Sequence, residues 1–109
     1  MIDVLIVGSG PAGLSAAIYT SRAGLSTMIL EGPVAGGLVT TTEEIDNYLG
    51  LPGSAGLDMA ENFKKHAVSF GAELVRGEVE SIVSTKYYFQ TVTTDGKIFD
   101  SKTVIFAAG

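Results

Sequence analysis

The stretch "DVLIVGSGPAGLSAAIYT", residues 3–20, decides the fold. Residues 2–7, Ile-Asp-Val-Leu-Ile-Val, have the unbroken apolar character of a strand buried on both faces. Three glycines follow at once. Pro11 then suits the first turn of a helix, because proline has no N–H to lose there. The spacing predicts a helix to about Arg22, with Ala12, Ala16, Ala17 and Tyr19 towards the sheet and Gly24 as its C-terminal cap. "STMIL" (26–30) reads as a second strand, ending on an acid at Glu31. Strand, helix and strand within about thirty residues predict a parallel pair joined by a right-handed crossover.

Gly8, Gly10 and Gly13 fit the pattern G-x-G-x-x-G between that strand and that helix. The three glycines do different things. Gly8 permits the tight turn, Gly10 lets the backbone approach a pyrophosphate, and Gly13 brings helix and strand close together. A phosphate placed there meets free N–H groups and the positive end of the helix dipole. Glu31, eighteen residues beyond Gly13, stands at a strand end where it can accept hydrogen bonds from a ribose. The alternative is a chance glycine turn with Glu31 a solvated strand end. The strand before, the helix after and the acid at this spacing together favour the ADP half of a dinucleotide, which FAD and NAD(P) share.

Composition sets bounds on the rest. One hundred and nine residues make one domain, able to bury roughly 65% of its unfolded surface. With 46% hydrophobic and 17% charged residues the chain collapses rather than staying disordered. The net charge of -5 and the seven scattered Lys and Arg argue against nucleic acid as a partner. That acidity does not forbid phosphate binding, since distant surface charges are screened within about 8–10 Å. The first apolar run is too short for a secretory or membrane-spanning segment and has no basic stretch ahead of it, so no membrane association and a cytoplasmic location are expected. With no cysteine, the chain carries neither a disulfide nor a thiol redox centre.

Residues 31–56, rich in Gly and Thr, have no sustained period and read as a long loop, of a length that in a compact domain is usually functional or disordered. A second helix follows, with Met59, Phe63, Ala67 and Phe70 as its apolar stripe and Gly71 as its cap. "AELVR" (72–76) predicts a third strand. "VESIVS", "YYFQTVTT" and "KIFD" between Val79 and Asp100 predict a three-stranded antiparallel meander, with Asp95-Gly96 as a two-residue hairpin turn. "TVIFAAG" (103–109) returns to the buried pattern as a fourth parallel strand. The expected fold class is α/β, a Rossmann-like FAD/NAD(P)-binding fold: a parallel sheet flanked by helices plus a meander, incomplete at its C-terminus.

At this point the sequence strongly resembles the amino-terminal part of the FAD domain of bacterial-type thioredoxin reductases, over nearly the whole chain. "GSGPAGLSAAIYTSRAGL" is similar to that family's opening motif, and "EGPVAGGL" with "TTTEEIDNYLG" to its second signature; "FGAELVRGEV" and "VIFAAG" follow at its spacing. The resemblance implies that the loop of Gly8, Ser9, Gly10, Pro11, Ala12 and Gly13 holds the FAD pyrophosphate, and that Glu31 with Gly32 holds the adenosine ribose. It implies that Gly36 and Gly37 let the loop wrap the cofactor, that Asn47 contacts FAD near its middle, and that Val79 borders adenine. Leu38, Ala108 and Gly109 fall at cofactor-contacting positions of the same motifs. Leu38 stands in place of the usual Gln, Leu49 of the usual Pro, and Ala108 of the usual Thr, and the first and third of these remove polar groups near the cofactor.

The resemblance further implies that hydride passes from NADPH to FAD, then electrons to a Cys-x-x-Cys pair and on to thioredoxin, in a homodimeric parent. The NADPH domain with its cysteines, and a final FAD segment, follow the point where residue 109 falls, so residues 1–109 are expected to be the FAD-binding domain's N-terminal segment, without a catalytic group of their own. The missing segment is expected to expose a sheet edge beside the first or last strand. Two other readings stay open: the same domain of a ferredoxin–NADP reductase, and a stand-alone dinucleotide-binding module without redox activity. The remaining candidates are weaker. His66, beside Lys64 and Lys65, reads as a surface residue rather than a base. Glu43, Glu44 and Asp46 lack the His or Cys of a convincing metal site. Thr40–Thr42 could bond phosphate or simply pack the loop, and Tyr87, Tyr88 and Phe89 read as meander core.

Overall fold

The computed structural model describes residues 1–32 and 56–107, with the backbone alone at 56–60 and at Phe63. Its elements run β1 (Ile2–Val7), α1 (Pro11–Arg22), β2 (Thr27–Glu31), α2 (Gly56–Ser69), β3 (Glu73–Arg76), β4 (Val79–Ser84), β5 (Phe89–Thr93) and β6 (Ile98–Phe106). They form one six-stranded sheet in the order β3-β2-β1-β6-β5-β4. β3, β2, β1 and β6 are parallel, with Ile6 opposite both Ile29 and Ile105, while β4, β5 and β6 are antiparallel.

The strand pattern of β1 explains the layering. Val4 and Ile6 point to the helices and pack with Leu14 and Ala17 of α1, Ile29, and Ala67 of α2. Leu5 and Val7 point the other way and pack with Met28 and Leu30, joined by Val79 and Phe99 from the antiparallel half. Leu5, Ile6, Leu14, Ile29 and Leu30 are fully buried, each stabilising the fold by about 1.5–3 kcal/mol. Both helices stop on the same paired backbone bonds. Gly24 N and Leu25 N donate to Ser21 and Thr20 carbonyls after α1, and Gly71 N and Ala72 N to Val68 and Ala67 carbonyls after α2.

Several expectations are corrected. The third meander strand and the fourth parallel strand are one strand: β6 pairs antiparallel with β5 through Ile98–Ser101 and parallel with β1 through Ser101–Phe106. No glycine or proline interrupts Asp100 to Thr103, so nothing breaks the extended backbone. Consequently β1 and β6 pair with each other, and among the described residues the edges of the sheet are β3 and β4. The Asp95-Gly96 turn is a three-residue loop, because Thr93 and Lys97 close it and Gly96 N donates to Thr93 O. Only Gly96 there has positive φ, 88°, whereas a two-residue type I′ turn needs it at both central positions.

The face of α1 also differs. Gly13, Leu14 and Ala17 are buried, whereas Ala12 is exposed and Tyr19 is 69% exposed. At about 100° per residue, both lie round from Gly13 on the side opposite Leu14. On α2, Ala67 is buried but Phe70 falls beyond the helix end, against the His66 ring and under the Arg22 guanidinium. Tyr87 is exposed, because the β4–β5 turn occupies 85–88 and Thr85 Oγ1 accepts from the Tyr88 amide at 3.0 Å.

Candidate functional site

The carboxyl ends of β1, β2 and β6 meet at the glycine loop. Gly8 leaves β1 with φ 114°, a left-handed value that a side chain disfavours, and its N–H donates to Leu30 O at 3.0 Å. Ala107 N donates to Val7 O at 2.8 Å, closing the other flank. Ser9 is buried. A Cβ on Gly13 would collide with the Gly8 carbonyl oxygen, so this glycine is demanded by the approach of α1 to β1.

Gly10 is the N-cap of α1, in an extended conformation (φ -72°, ψ -179°), and Pro11 takes the first turn. Leu14 N makes the first helical bond, to Gly10 O at 3.0 Å. Gly10 has no side chain to cap this end, and no acid lies in the first turn. A helix start without a side-chain cap offers its first-turn amides and its dipole to an outside acceptor. The donor set therefore fits a phosphate.

Glu31 ends β2 and is 4% exposed. Its Oε1 accepts from Lys64 Nζ of α2 at 2.7 Å, with both side chains largely buried. Lys64 Nζ also lies 3.8 Å from Glu61 Oε1. Gly77 N donates to the Glu31 carbonyl at 2.9 Å, which brings the β3–β4 link beside the end of β2. That approach is tight: a Cβ on Gly77 would lie 2.9 Å from Thr93 Cγ2. Val79, half-buried, follows at the start of β4 and packs on the second core cluster.

The structure thus brings together Gly8, Ser9, Gly10, Pro11 and Gly13 at one end of α1, with Ala12 exposed on its first turn. Glu31 and Gly32 stand at the neighbouring strand end, and Val79 opens the strand beyond β3. Gly36, Gly37, Leu38, Asn47, Ala108 and Gly109 lie outside the described residues, as do Leu49, the threonine run and the acids at 43, 44 and 46. His66 is exposed. Among the described residues no three His, Cys, Asp or Glu side chains form a metal-holding group, and no helix is long and apolar enough to cross a membrane.

Sequence reasoning missed Lys64 and Gly77. Lys64 had one signal: it lies about 60° round the helix from Ala67, on the edge of the face that turns inward. Its partner, thirty-three residues earlier, had none.

Residues 2–109 match the pyridine nucleotide-disulphide oxidoreductase family. The chain is similar to the thioredoxin reductase of Bacillus subtilis, 40% identical over 107 residues, covering 98% of this chain and 34% of that protein. It is 38% identical to the bifunctional thioredoxin reductase/thioredoxin of Mycobacterium leprae, covering 98% of this chain and 24% of that one. The fold superposes on the crystal structure of Lactococcus lactis thioredoxin reductase with a TM-score of 0.93 and 37% identity, covering 100% of this chain and 36% of the other. The chain spans about a third of the length of the thioredoxin reductases it matches.

Proposed function

The chain belongs to the pyridine nucleotide-disulphide oxidoreductase family, and on that premise we propose that it is the FAD-binding segment of an NADPH-dependent thioredoxin-disulfide reductase. The observation that carries this reading is the start of α1: Gly10 at the N-cap without a side chain and no acid in the first turn, beside the buried acid that ends β2. In this reading the Gly8–Gly13 loop holds the FAD pyrophosphate, Glu31 and Gly32 hold the adenosine ribose, and Val79 borders adenine. Gly36, Gly37, Leu38, Asn47, Ala108 and Gly109 complete the cofactor's surroundings.

FAD, when bound, would supply the redox chemistry between NADPH and a disulfide. The chain's own residues bind and orient. Amides of the α1 start meet the pyrophosphate charge, Glu31 accepts from ribose hydroxyls, and the close packing of Gly13 on Gly8 fixes where the helix end points. The chain has no cysteine, so disulfide chemistry in the full-length protein uses residues outside it. Thioredoxin as the acceptor is supported by the names of the relatives, one of which carries reductase and thioredoxin together. A homodimeric, cytoplasmic parent, NADPH bound outside residues 1–109, and the division of the FAD domain at this segment belong to the same proposal.

Gly10→Val in the full-length protein tests it. Gly10 has negative φ, so valine is conformationally allowed there and its side chain enters the space left for phosphate. The variant is expected to fold and to purify without flavin; flavin content equal to wild type would remove the pyrophosphate from this loop.

A further inference from the structure

Lys64 is drawn out of water to meet Glu31. Its side chain is 13% exposed and that of Glu31 5%, and Nζ lies 2.7 Å from Oε1. Burying two charges costs several kcal/mol of desolvation, which a single close contact rarely more than offsets. An apolar pair at these positions would serve the core as well. Glu31 also sits opposite Arg76 in the β2–β3 register, yet Lys64, from a different layer, is the cation on its carboxylate.

The pair stands at the carboxyl end of β2, beside the open start of α1. A carboxylate has about four lone-pair sites on two oxygens, so a lysine on Oε1 leaves capacity for a hydroxyl donor. We propose that Lys64 is a positioning residue for cofactor binding, which holds the Glu31 carboxylate in the orientation that accepts from the hydroxyls of an adenosine ribose. This rests on the assignment of Glu31 to the ribose given above.

The test uses the full-length apoprotein with ADP and 2′,3′-dideoxy-ADP as probes, read by titration calorimetry. Wild type is expected to prefer ADP about tenfold or more, the scale of hydrogen bonds to a charged acceptor. Lys64→Met loses most of that preference by weakening ADP alone, and dideoxy-ADP binds as before. Lys64→Arg keeps a cation on the carboxylate and keeps the preference. Because an unpaired buried acid can unfold a chain, the double variant Lys64→Met/Glu31→Gln is measured as well, with a preference near one. A wild-type preference in Lys64→Met or in the double variant overturns the proposal. So does an equal loss of both nucleotides in a folded Lys64→Met, which is the mark of a merely structural lysine. Failure of the underlying assignment looks different: the wild type itself then fails to distinguish the two nucleotides.

Discussion

Gly13 packs so closely on the carbonyl of Gly8 that no Cβ fits between them. The contact makes the third glycine of the loop a structural requirement, distinct from the ligand-facing role proposed for the second. Gly13→Ala must push α1 off β1, and α1 carries Leu14 and Ala17 of the main core cluster. We expect a loss of about 1–3 kcal/mol, the range for overpacking a close contact. Urea unfolding monitored by circular dichroism measures it. An unchanged midpoint would mean that the strand and helix separate at no cost. Together with Gly10→Val the result splits the motif: one variant loses stability, the other loses flavin.

Much of this was legible because it is local. The apolar run of β1, the glycines at 8, 10 and 13, Pro11 and the stop at Gly24 are consecutive, and each constrains its own neighbourhood. What was not legible depends on docking. Lys64 meets Glu31 only because α2 lies on α1 and brings thirty-three residues of separation to 2.7 Å. The union of the last two predicted strands into β6 was hidden by the polar run Asp100-Ser101-Lys102, which reads as a break. In the sheet Ser101 is fully buried, opposite Ile2 on one side and Phe89 on the other. Polarity at that position marks the change from antiparallel to parallel pairing, and no local pattern distinguishes the two.

Asp3 ties three strands together and sets an acid limit on stability. Its Oδ2 accepts from Ser26 N at 2.9 Å, just ahead of β2, and its Oδ1 lies 3.3 Å from Lys102 Nζ of β6. The Ser26 amide first, then Lys102, holds the Asp3 carboxyl below its ordinary value. Asp95, at the hairpin, is lowered chiefly by the Thr93 hydroxyl and also by Lys97. A carboxyl whose folded pKa is depressed stabilises the fold above the unfolded value, about 3.9, and loses that contribution as pH falls through the folded one. Asp3→Asn is therefore expected to be less stable than wild type at pH 7, with the gap closing below about pH 3.9. Urea midpoints at pH 7, 5 and 3 provide the check. A gap that stays constant with pH would assign the loss to hydrogen bonding rather than charge.

Residues 1–109 expressed by themselves are expected to be redox-silent. On the proposed reading the glycine loop and Glu31 address only the ADP half of FAD, and the sequence holds no cysteine to offer a thiol. The large apolar side chains of Phe106 and Ile98 on β6 are 69% and 59% exposed, and edge strand β4 shows Val83 to solvent at 51%. An edge of this kind invites pairing with another chain, so the isolated segment should also associate as its concentration rises. Added FAD is then expected to be held weakly, because the glycine loop and Glu31 reach only one half of the cofactor, and NADPH is expected to pass no hydride to it beyond the rate of free flavin. Absorbance at the NADPH band, with FAD and oxidised thioredoxin present, reads the first point; sedimentation at increasing concentration reads the second. Turnover above the free-flavin background would place a nicotinamide site and an electron acceptor within these residues, and the division of labour proposed for the full-length reductase would fail.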